Sequence, residues 1–171
     1  LRLLIMVGVY QIQIKQGLVY KHLKTDNEVG EKLWKRLKKP KNLSLFKNLV
    51  ENLSQDKILG PHIVQGICFS KRGNYYSPLI KGLRLSDLKC HLDLDLVDLV
   101  YLLLSLAVLL TALQQYQRHH GYLIGDWTLH NLIYQGTTGR IINIDLEGFY
   151  TYSPFGLDLS WNSGECRIST V

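Results

Sequence analysis

The stretch "GYLIGDWTLHNLIYQGTTGRIINIDLEGFY", residues 121–150, decides the reading of this chain. Within it, "NLIY" and "IINID" are strand-forming runs on either side of "QGTTGR", whose glycines suit a tight turn, so the segment predicts a β-hairpin. If Leu132 pairs with Ile144, Ile133 with Asn143 and Tyr134 with Ile142, then Asn131 and Asp145 face each other at the open end. Asp126 lies five residues before Asn131, on a loop close enough to share that mouth. Two carboxylates and a carboxamide oxygen on a rigid hairpin make an oxygen-rich site for a hard cation such as Mg²⁺, with one carboxylate left to orient a hydroxyl. His130 is expected to pin the loop by a hydrogen bond, and Glu147 either joins the metal shell or faces solvent.

Upstream of this stretch, "LVYLLLSLAVLLTAL" (Leu99 to Leu113) is an apolar run shorter than the ~18 to 20 residues that span a bilayer. With Asp93, Asp95 and Asp98 before it and Gln114 and Gln115 after it, it predicts a helix over about residues 92–119, buried in the middle of a lobe. No transmembrane segment is expected, which leaves room for association with a membrane surface. Near the start, Leu1 to Met6 reads as a strand, and "VYQIQIK" and "LVYKHLK" alternate around Gln16-Gly17 as a β-hairpin. "TDNEVGEKLWKRLKK" has cap-forming residues first and cations last, the order that suits a helix dipole. Pro40 stops that helix, and "NLSLFKNLVENLSQ" predicts a second, amphipathic one. A second hairpin is expected from "HIVQGICFSK" through Arg72-Gly73-Asn74 to "YYSPLI", with a connector at residues 79–86.

The composition fits a folded α+β protein: 171 residues, 46% hydrophobic and 20% charged, argue against disorder. Three cysteines without a CxxC pair exclude a disulfide framework and a cysteine zinc site, and fit a reducing, cytoplasmic setting. The net charge of +6 conceals a division: residues 1–90 hold 17 Lys+Arg against 6 Asp+Glu, whereas residues 91–171 hold 3 against 8. A basic half facing an acidic one suggests a metal-bound polyphosphate between them.

In this setting Asp126-x-x-x-x-Asn131, followed after a hairpin by Asp145, resembles the catalytic loop and metal-binding segment of the protein-kinase superfamily. The wording "GDWTLHN" and "IDLEG" is most similar to its lipopolysaccharide-kinase and aminoglycoside-phosphotransferase branch. "VYKHLK" resembles the strand that carries the phosphate-binding lysine, "LGPHIV" the start of the next strand and "SPLIKGLRL" the hinge, so the resemblance covers roughly residues 9–150 in order. It implies a two-lobed protein-kinase-like fold, with a small β-rich N-lobe over residues 1–80 and a reduced, mainly helical C-lobe over 81–171. It also implies ATP and Mg²⁺ or Mn²⁺ as cofactors, and roles for six residues. Lys21 would hold the α/β-phosphates and Glu31, preferred to Glu28, would orient Lys21. Ile80 would line the adenine pocket through backbone groups. Asp126 would accept or orient the proton of the acceptor hydroxyl, and Asn131 and Asp145 would bind the metal.

The activity so implied is transfer of the γ-phosphoryl group of ATP to a hydroxyl of a saccharide or other small molecule, with Ser/Thr of a protein as a further choice. No GxGxxG precedes Lys21, Gly125 stands where the family's HRD has Arg, and only 26 residues follow Asp145, which implies a minimal or truncated kinase. The alternative is a catalytically inactive kinase-like domain that binds nucleotide or a partner. Nucleic-acid binding through Lys32, Lys35, Arg36, Lys38, Lys39, Lys41 and Lys47 is the least favoured reading, because such a run is more often a solvated helix face.

Overall fold

Alternation around Gln16-Gly17 produces the expected hairpin in the computed structural model, which describes residues 3–7, 10–23, 31, 35, 40–70, 74–90, 94–121 and 123–145. Strands β2 (Tyr10–Lys15) and β3 (Leu18–Leu23) pair antiparallel, Tyr10 with Leu23 and Lys15 with Leu18. β1 (Leu3–Val7) adds to the far edge of β2. On the other side β3 pairs with β5 (Tyr75–Pro78), which in turn pairs with β4 (Cys68–Phe69). Lys21 therefore sits inside the sheet, flanked by Ile12 on one strand and Tyr75 on the other.

The second hairpin is shorter than expected, and this is a correction. Among the described residues of the expected first arm, only Cys68 and Phe69 pair with β5; Ile63 instead bridges in parallel to Asn143, and the Val64 N–H donates to the Asn143 carbonyl at 3.0 Å. Burial drives the diversion, since Ile63 and Val64 are each 1% exposed in their new position. Helix α1 (Pro40–Gln55) opens on Pro40, which has no N–H to leave unsatisfied at a first helical position. It buries Phe46, Val50 and Leu53 along one stripe. Asp56 then accepts the Ile58 and Leu59 N–H groups, and a 3₁₀ turn at Gly60–His62 leads to the bridge. Glu31 and Lys35 are helical, as expected; the other residues of the 25–39 segment lie outside the described ones.

A second antiparallel sheet, in the order β6-β7-β8, comprises β6 (Leu83–Arg84), β7 (Leu132–Gln135) and β8 (Arg140–Asn143). Its register corrects the expected one by a residue: Leu132 pairs with Asn143, Ile133 with Ile142 and Tyr134 with Ile141. The turn sets this. Gly139 takes φ 62° and both Thr138 and Gly139 donate to the Gln135 carbonyl, so the loop closes in four residues rather than five. Gly82 lets β6 approach this hairpin, because a Cβ there would run into the Tyr134 carbonyl.

Helix α2 (Leu96–His120) starts where the Asp95 carboxylate accepts the Asp98 N–H at 2.8 Å. It is the expected helix but not a buried one. Leu102, Ser105, Leu109, Ala112, Leu113 and Tyr116 are buried, whereas Leu103, Leu104, Val108 and Leu110 are each more than half exposed. At 25 residues α2 is long and apolar enough to cross a membrane by length and composition, with 28% of its apolar window buried; the core helix of a soluble protein passes the same test. The helix outruns the apolar stretch because the polar residues at its ends are also helical. Buried residues of α1, the 59–64 segment, β5, α2, β7 and β8 form one hydrophobic cluster, and the described chain is a mixed α+β structure.

Candidate active site

Between the two sheets lies a cleft of about 640 Å³, within the range that small-molecule ligands occupy. Of the six residues singled out in the sequence, Lys21, Ile80, Asp126, Asn131 and Asp145 line it. They come from four separate parts of the chain: β3, the link from β5 to β6, the loop after α2, and the segment leaving β8.

Lys21 is 6% exposed, as a lysine can be only when its charge is met. Its Nζ lies 3.5 Å from Asp145 Oδ1 and donates to the Ile144 carbonyl at 3.3 Å, with the Tyr75 ring centroid 5.5 Å away. On the other side of the same carboxylate, Asn131 Nδ2 donates to Asp145 Oδ2 at 3.4 Å. Lysine, carboxylate and carboxamide thus form one chain of contacts across the cleft.

The meeting of Asn131 and Asp145 survives the corrected register because the ladder ends. The Ile144 N–H donates to the Asn131 carbonyl at 2.9 Å, so Ile144, not Asp145, lies opposite Asn131. Asn143 Oδ1 then accepts the Asp145 N–H at 2.8 Å, and this bend brings Asp145 back toward Asn131. Asp126 is half-buried, and its Oδ1 accepts the Thr128 N–H at 3.2 Å. Its carbonyl accepts from Asn143 Nδ2 at 2.8 Å and from Asn131 Nδ2 at 3.4 Å.

Ile80 is half-buried on the cleft wall, and no hydrogen bond among the described residues engages its backbone groups, while the neighbouring Leu79 N–H is taken by the Gly17 carbonyl at 2.8 Å. Glu31 departs from expectation. It is exposed and its carboxylate meets Lys35 at 2.7 Å, one helical turn on, so the structure does not bring it to Lys21. Glu28 and Glu147 lie outside the described residues. His130 is exposed on the cleft rim and makes no hydrogen bond among the described residues. The loop is instead held through the Asp126 carbonyl and by Trp127 Nε1 donating to the Ile124 carbonyl at 2.7 Å. In the basic run, Lys35 is taken by Glu31, Lys47 stands over the Phe69 ring at 5.9 Å, and the segment from 36 to 39 lies outside the described residues.

Among the described residues no group of three His, Cys, Asp or Glu could hold a metal ion. Asn131 and Asp145 offer a carboxamide and a carboxylate on one wall, which suits Mg²⁺, an ion commonly held by one or two protein oxygens with substrate phosphates and water completing the shell. Sequence reasoning missed Asn143 and Arg84, the latter on the cleft wall. Asn143 carried a readable signal: a carboxamide in the apolar run "IINI" must find partners if the strand is buried. No protein-family model matches the chain, and no curated protein matches it.

Proposed function

We propose that this chain is an ATP-dependent phosphotransferase of two-lobed, protein-kinase-like architecture, moving the γ-phosphoryl group to a hydroxyl of a saccharide or other small molecule. The observation that supports the reading is the convergence of Lys21, Asp126, Asn131 and Asp145 on one cleft, with Lys21 and Asn131 both within 3.5 Å of the Asp145 carboxylate. Phosphoryl transfer asks a protein mainly for positioning and charge balance, and these are the groups it needs.

In this reading Lys21 neutralises the α/β-phosphates and the Ile80 backbone meets the adenine. Asp126 orients the acceptor hydroxyl and takes its proton as the new bond to the γ-phosphorus forms. The bond from that phosphorus to the bridging oxygen breaks, and ADP leaves with the electron pair. Asn131 and Asp145 would hold Mg²⁺ or Mn²⁺, which when bound offsets the phosphate charge. The free thiol of Cys68 fits a reducing, cytoplasmic setting.

A second reading, a nucleotide- or partner-binding domain without turnover, is favoured by the pairing of Glu31 with Lys35 instead of Lys21. Thermal shift with ATP and Mg²⁺, together and separately, tests binding, because a ligand of the folded state alone raises the melting temperature. Phosphate release from ATP to water, the simplest hydroxyl acceptor, tests turnover. A larger shift with both ligands than with either alone, and release that Asp126→Ala removes, supports the enzyme. A shift without release supports the binding domain, and no shift at all defeats both.

A further inference from the structure

We infer that Asn143 is a positioning residue that sets the spacing between Asp126 and Asp145, a role resting on the phosphotransferase reading above. Asn143 is 0% exposed, and both ends of its carboxamide are used. Nδ2 donates to the Asp126 carbonyl at 2.8 Å and Oδ1 accepts from the Asp145 N–H at 2.8 Å. One side chain therefore joins the backbone of the loop bearing the base to that of the segment bearing the metal carboxylate.

Chemistry fixes its orientation: turned over, the carboxamide would set its oxygen against the Asp126 carbonyl and its NH₂ against the Asp145 N–H. The clamp is itself anchored, since the Asn143 carbonyl accepts from Val64 N–H at 3.0 Å and Ile141, two residues earlier on the same strand, is fully buried. Asn131 also reaches both loops, but at 3.4 Å to each. Asn143 holds the same two segments at 2.8 Å to each, and so is the closer of the two ties. Transfer depends on that spacing, because Asp126 must meet the acceptor where the phosphates are held; a displacement of about 1 Å costs on the order of 100-fold in rate.

Asn143→Asp separates this role from packing. It keeps the size and the acceptor for the Asp145 N–H, and replaces the donor to Asp126 with an oxygen. Asn143→Ala removes both bonds. Phosphate release from Mg·ATP is measured for wild type and both variants, below their melting temperatures. The expected result for Asn143→Asp is a kcat reduced on the order of 100-fold, with the KM for Mg·ATP changed less than about threefold, because Lys21, Ile80, Asn131 and Asp145 still hold the nucleotide. In an Asp126→Ala background the same substitution should cost less than about threefold further, since residues that act as a unit are not additive. Unchanged kcat, a loss carried by KM alone, or full additivity with Asp126→Ala overturns the inference. Failure of both variants to fold makes Asn143 structural only and overturns it too. Wild-type chain that binds no Mg·ATP or releases no phosphate instead defeats the phosphotransferase reading, and the inference falls with it.

Discussion

The cleft and the outer face of α2 use side chains in opposite ways. At the cleft and just behind its wall, Lys21, Asp145, Asn131, Asn143 and the Asp126 carbonyl engage one another in a continuous run of contacts between 2.8 and 3.5 Å. On α2 many large apolar groups stand exposed, from Leu96 at 75% to Tyr101 at 58% and Leu110 at 61%. Polar side chains cost free energy when buried without partners, so their burial here reports a specific geometry. Apolar side chains carry no such requirement, so their presence on α2 says little about where the core lies. Substitutions should therefore act on chemistry at the cleft, on stability along one stripe of α2, and on neither across the rest of that helix.

The largest expected effect is at the cleft. On the proposed phosphotransferase reading, Asp126→Ala and Asp145→Ala should each lower phosphate release about 1,000-fold, within the range assigned to general bases and charge stabilisers. Asp145→Ala should in addition weaken Mg²⁺-dependent nucleotide binding; steady-state kinetics and calorimetry check both, and wild-type turnover in either variant removes the contrast. On the buried stripe, Leu109→Ala should destabilise by about 2–5 kcal/mol in urea unfolding, since Leu109 is 2% exposed and its loss leaves a cavity. Gly82→Ala should cost about 1–3 kcal/mol in the same measurement, because the added methyl meets the Tyr134 carbonyl and β6 must move away. The smallest effect belongs to the outer face: Leu103→Gln and Leu110→Gln keep helix propensity and should change stability by about 0.5 kcal/mol or less. A cost there equal to that of Leu109→Ala would mean the outer face is packed as tightly as the stripe, and the comparison would fail.

Much of the site was legible because its signals are local. Alternation around Gln16-Gly17 puts Lys21 in a central strand, and the turn residues before Arg140 announce a hairpin with Asn131 and Asp145 near its mouth. The register was not legible, since four- and five-residue closures of "QGTTGR" differ only in where the left-handed residue falls. The burial of α2 was not legible either. A helix apolar on nearly every side has no periodic contrast from which to read a buried face. Ile63 and Val64 were read as half of a local hairpin because their partner, Asn143, is some 80 residues away, and no pattern within a short window can reveal such a pairing. The ion pair of Glu31 turned on a competition between partners: Lys35, one turn along, is always within reach, whereas Lys21 requires tertiary placement.

The stitch between residues 62–64 and β8 bears on how the polypeptide can be divided. His62 Nδ1 bonds to the Ile141 carbonyl at 3.0 Å and Val64 to that of Asn143, so the first half of the chain supplies an edge to the second. A cut between Ile80 and Lys81 would separate the two sheets in sequence while leaving each fragment with part of a shared interior. Neither piece should fold by itself; mixed, they should reassemble by fragment complementation, and the cleft between the sheets should return only with the pair.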